Sequence, residues 1–129
     1  MELKEFHRDY VVLGILTDDL GTMGNSLNEV CNGFRVADFE QKIGVARGVA
    51  QHFLDEIARD YKQWEAASVS YAFRHFTGRE LRAIIGAFHE VFLYMDDEFE
   101  LHTRLGAWRL EMDQILSEIT LIYQRMTEA

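Results

Sequence analysis

The stretch ASVSYAFRHF, Ala67 to Phe76, decides how the whole chain is read. Val69, Tyr71 and Phe73 alternate with small or polar neighbours, the period-two pattern of a half-buried strand. A strand needs a hydrogen-bonding partner, and a lone one is not stable in water. The segments on either side carry helical spacing, and no partner strand is evident. We therefore expect this stretch to be continued helix or a helical turn, and the chain to be helical from end to end.

Composition agrees with that expectation. The chain has 129 residues, 48% of them hydrophobic and 12% aromatic, which fits one globular domain over 1–129. It contains no proline, where about six would be average, and proline is the strongest interrupter of helices.

Upstream, Leu3, Phe6, Tyr10, Leu13, Leu20, Leu27 and Cys31 recur at steps that suit one helix face. They predict a helix over 2–31 ended by Gly33. It is one helix or two, because Ser26 with Glu29 can open a second as a capping box. Gly14, Thr17, Gly21 and Gly24 form a small-residue stripe beside it. Such a stripe is either close packing within the bundle or a homodimer seam, and Gly44 with Gly48 makes a second. Asp38 and Gln41 read as a capping box for a helix over 38–66, with Phe39, Ile43, Ala46, Ala50, Phe53 and Ile57 inward.

Downstream, FTGREL (Phe76–Leu81) is the clearest boundary. Thr77 is placed as N-cap, Glu80 completes the box, and Phe76 with Leu81 can staple it. The helix from Gly78 then has Leu81, Ile85, Phe88, Phe92, Met95 and Phe99 as core positions. From Leu101 the apolar set shifts by one residue through Leu105, Trp108, Met112, Ile115, Ile119, Ile122 and Met126. The slip lies at Asp97, with Glu100 three residues on, and predicts a helix joint there. The expected fold is all-α: an elongated antiparallel bundle of four to five helices.

The chain carries 22 acidic and 13 basic residues, a net charge of −9. Nucleic-acid affinity rests on Lys and Arg neutralising phosphates, so direct nucleic-acid binding and an anionic membrane surface are not expected. No apolar run approaches the ~18 residues of a membrane span, and the N-terminus lacks the apolar core of a signal peptide. The single cysteine, Cys31, cannot form an internal disulfide. A reducing, cytoplasmic setting is expected.

Candidate chemistry is sparse. Tyr94-Met-Asp-Asp97 resembles the catalytic-turn signature of reverse transcriptases, but the chain has neither the length nor the strand pattern of their palm sheet. His52 with Glu56, and Glu98 with His102, each place a histidine and a carboxylate one helical turn apart. They are the candidate metal ligands, although carboxylate-bridged bundles use Glu-x-x-His, which does not occur here. Arg47 to His52 and Arg82 to His89 resemble the Arg–His spacing of compact HEPN nucleases, with Gly48 and Ala83 where a polar residue usually follows the arginine. No nucleophile elbow or phosphate loop occurs.

The densest charge cluster is Asp96, Asp97, Glu98 and Glu100. It is either ordinary solvation or a docking surface for a protein with a basic surface. The sequence therefore favours a small acidic protein that binds and modulates a partner, by inhibiting or neutralising it. That partner would be basic, for example a nucleic-acid-binding protein. No cofactor is expected. The alternative is a small helical enzyme, metal-dependent or an HEPN-like RNase.

Overall fold

The computed structural model describes residues 1–128. It overturns the all-α bundle. Six helices are joined by a three-stranded antiparallel sheet, so the fold is α+β. In chain order the elements are β1 (Glu2–Phe6), β2 (Tyr10–Leu16), α1 (Thr17–Asn28), a π-helical turn (Glu29–Gly33), α2 (Phe39–Ile43), α3 (Arg47–Ala66), β3 (Tyr71–Thr77), α4 (Gly78–Tyr94), α5 (Glu98–Leu105) and α6 (Arg109–Glu128).

The sheet order is β1-β2-β3. The partner that β3 needs is β2, which pairs Val11 with Phe76, Leu13 with Arg74 and Ile15 with Ala72. Val11, Leu13, Ile15 and Phe76 are fully buried on one sheet face. Leu3, Phe6 and Leu13 therefore satisfy a helical spacing by coincidence. The segment also alternates over Val11, Leu13 and Ile15 and is β-branched, the stronger reading once a partner exists. β1 joins β2 with a bulge between Leu3 and Glu5.

Below the sheet one buried cluster gathers Leu20, Met23 and Leu27 of α1, Ile57 of α3, Leu81, Ile84 and Phe88 of α4, and Met112 and Ile119 of α6. Arg74 lies beside them with its side chain 9% exposed. Its guanidinium bridges Asp60 of α3 at 2.8 Å and Glu80 of α4 at 3.2 Å. Glu80 also completes the expected capping box with Thr77, and α4 begins at Gly78.

Three further boundaries differ from expectation. The helix over 38–66 is broken at Gly44, whose φ of +89° ends α2. Asp38 has a positive φ and its side chain makes no cap bond. The chain does leave the helical path at Gly33, yet not through the left-handed conformation. The carboxylate of Glu29 folds over Gly33, so a side chain there would collide with it. The apolar series after Leu101 is split by Gly106, at φ +77°, into α5 and α6. The helix expected over 2–31 is replaced by two strands as far as Leu16, whereas the one over 38–66 and the apolar series from Leu101 are each cut by a left-handed glycine that a phase pattern does not register.

The small-residue stripe divides. Gly21 and Gly24 lie on α1 facing α3, where added Cβ atoms would come within 2.9 Å of the Tyr61 ring and 3.1 Å of Ile57. Gly14 lies on β2, covered by Tyr71, and Gly48 faces open space. Gly86 of α4, outside both stripes, sits against the backbone of α2 at Lys42 and Ile43.

Candidate functional site

The joint expected at Asp97 is present, and it builds an exposed aromatic corner. Asp97 is the N-cap of α5, its carboxylate accepting from Phe99 N at 2.8 Å and Glu100 N at 3.0 Å. Within α5, Leu101 and Leu105 are buried. Phe99 lies two residues before Leu101, about 200° around the helix, and so points outward. It is 74% exposed, not a core residue of α4 as its phase with Met95 suggests.

Trp108, in the α5–α6 connection, is 40% exposed and meets Phe99 edge to face at 6.1 Å. His102 stacks on the other part of the indole system at 3.9 Å. The Arg109 guanidinium lies over the Phe92 ring at 3.7 Å. These contacts hold the aromatic side chains in place before any partner arrives, which lowers the ordering cost of binding.

The acidic cluster surrounds this corner, and most of it has internal roles. Asp97 caps α5. Glu98 Oε1 accepts from Arg109 N at 2.8 Å, where α6 begins. Glu100 pairs with Arg104, which also reaches the buried Glu29 of the π-helical turn. Asp96 is exposed and makes no side-chain bond among the described residues. The cluster therefore fixes the α4–α5–α6 junction and leaves exposed carboxylates next to Phe99 in the chain, with the Arg104 guanidinium and the Arg109 amide paired among them.

The other candidates are not brought together. His52 pairs with Glu56 at 3.0 Å on the exposed face of α3, while Glu98 and His102 have the contacts given above. Among the described residues no three His, Cys, Asp or Glu side chains are grouped as metal ligands. Arg47 donates to the Val30 and Cys31 carbonyls and covers the Phe39 ring. Arg82 donates to the Gln41 and Lys42 carbonyls. Both arginines satisfy carbonyls at helix ends, and neither bonds to a histidine. Cys31 is buried, and burial pushes its thiol pKa up, the opposite of an activated nucleophile.

A groove of about 510 Å³ runs between α1 and α3. Its polar groups satisfy one another: Asn32 donates to Asn28 and Gln51, and Gln51 to Asp55. The sequence reading missed the role of Phe99 and Trp108 by counting both as core. The available signal was Asp97, which restarts the helical phase and places Phe99 opposite Leu101.

Among the described residues no helix is long and apolar enough to cross a membrane. Comparison of the chain with protein-family models, with curated proteins and with solved structures returns no match.

Proposed function

We propose that this chain is a non-catalytic binding protein that docks on a basic protein partner through the α5 corner and modulates it by covering its surface. One observation carries the reading: Phe99 and Trp108 are exposed and touch each other, and the exposed carboxylates Asp96, Glu98 and Glu100 flank Phe99 along the chain as an acidic rim. Interface hot spots are aromatic side chains near the centre of a patch, ringed by polar groups that exclude water. The rim and the net charge of −9 would steer a positively charged partner into register. The complementary surface is an apolar cleft flanked by Lys and Arg. A nucleic-acid-binding protein offers such a cleft, and a carboxylate rim mimics its phosphates. The setting is a reducing one such as the cytoplasm, where a free cysteine persists.

The test is a comparative capture. Immobilised wild-type chain and the Phe99→Ala/Trp108→Ala double variant are exposed to lysate of the source cell at low and high salt. The reading expects a basic protein retained by wild type, released by salt and lost with the double variant. Equal retention by both chains, or a partner insensitive to salt, overturns it.

A further inference from the structure

β3 is an edge strand, and most of its outward backbone edge is unpaired. Thr17 N donates to the Ser70 carbonyl, and Gly78 N to the Asp9 carbonyl, at the two ends of the β2–β3 ladder. In an antiparallel ladder, hydrogen-bonded pairs alternate with pairs that are not bonded. The register then makes Val11–Phe76, Leu13–Arg74 and Ile15–Ala72 the bonded pairs. Tyr71, Phe73, His75 and Thr77 must turn their N–H and C=O groups away from β2. Thr77 agrees with this, because its N–H is taken by Glu80 at 3.2 Å. The amides of Tyr71, Phe73 and His75 have no partner among the described residues.

Proteins blunt exposed edges with charges, prolines or bulges. β1, the opposite edge, follows that rule with Glu2, Lys4, Glu5 and a bulge. β3 has no bulge, proline or acidic residue. Its one full charge, Arg74, is held by Asp60 and Glu80, and its guanidinium also donates to the His75 carbonyl at 3.3 Å, which leaves that oxygen's second lone pair for a partner strand.

From this we infer that β3 pairs antiparallel with β3 of a second copy, about a twofold axis at Phe73, to form one continuous sheet. The strand is self-complementary around that point. Phe73 would exchange both of its outward backbone hydrogen bonds with its own counterpart. Tyr71 would do the same with His75 of the other copy. On the outer face this sets ring against ring, as Tyr10 and His75 already stack at 4.2 Å within the sheet. Each copy brings one charge of either sign to this face, the Lys4 ammonium over the Phe73 ring at 4.3 Å and the Glu2 carboxylate on the Tyr71 hydroxyl at 2.7 Å. A twofold contact of this kind closes and forms no fibre. Two copies of charge −9 repel at long range, so added salt strengthens this association, whereas it weakens docking at the α5 corner. The pairing shares no residue with that corner and stands independently of it.

The test combines sedimentation velocity with amide exchange on the full chain, from about 10 µM to about 1 mM. Dimer is expected to grow with concentration and with salt, and exchange at Tyr71 and Phe73 to slow at least about tenfold. Phe73→Pro removes the outward N–H and the exposed ring while leaving the β2 ladder bonds in place, a substitution that edge strands accept, and should return the chain to monomer with unchanged secondary structure. Phe73→Lys is the second variant in case the proline disturbs folding. A chain that stays monomeric at about 1 mM, a Phe73 amide that exchanges freely in a dimer, or dimerisation undiminished in both variants overturns the inference.

Discussion

Arg74 of β3 reaches Asp60 of α3 across the inner face of the sheet, Nε to Oδ2 at 2.8 Å. The same guanidinium bonds Glu80 of α4, so one charge ties the sheet to two helices that meet beneath it. Removing one member of a buried ionic group leaves the others desolvated and uncompensated. Arg74→Ala is expected to cost about 3 kcal/mol, towards the lower end of the range because Asp60 keeps some access to water. Urea denaturation of the variant checks this. A loss within the error of the extrapolation would mean that the triad is not energetically coupled.

The capping box can be tested at one atom. Thr77→Ala removes the acceptor for Glu80 N and should lower stability by about 1 kcal/mol. Thr77→Ser retains the hydroxyl and should lose only a fraction of that. Thermal melts of the three chains rank them, and an alanine variant as stable as the serine one would refute the cap.

Two glycines predict opposite outcomes. A Cβ at Gly86 would lie 2.6 Å from the Lys42 carbonyl oxygen and 2.9 Å from Ile43 Cα, and backbone cannot rotate out of the way. Gly86→Ala should destabilise by about 2 kcal/mol. At Gly48 nothing lies within 4 Å, and Gly48→Ala should raise stability by up to about 1 kcal/mol. Denaturation midpoints of the pair are the measurement, and equal shifts would contradict the close approach of α4 to α2.

Cys31 supplies a pH-dependent prediction. Burial raises its pKa above the ordinary 9.0, so the folded chain holds the thiol proton more tightly than the unfolded chain. That contribution to stability is complete below the unfolded pKa and is lost as pH rises through the folded value. Stability should therefore fall on moving from neutral pH to strongly alkaline pH, and less so in Cys31→Ala. Alkylation of the native protein at pH 8 should be at least roughly tenfold slower than in denaturant.

Two local readings hold, while the equally local capping box at Asp38 and Gln41 does not form. Thr77 with Glu80, and the Asp97 cap, are relations across three residues or fewer, and they depend little on the rest of the fold. The sheet could not be reached that way. Leu13 pairs with Arg74 across several intervening helices. Without that partner the alternation of Val69, Tyr71 and Phe73 has no meaning, and Tyr10 to Leu16 falls into a helical phase. The exposure of Phe99 escaped notice for a related reason. Phe99 is in phase with α4 yet belongs to α5, and only the restart at Asp97 turns it to water.

The sequence by itself determined the starts of α4 and α5, the inward face of α4 and the excess of negative charge, because these follow from side chains close along the chain and from simple counts. Tertiary structure decided the strand pairing, the close packing at Gly21 and Gly86, the burial of Arg74 and the exposure of Phe99. Each of those depends on which distant segment comes to lie alongside, and hydrogen-bond pairing and desolvation select that partner in three dimensions.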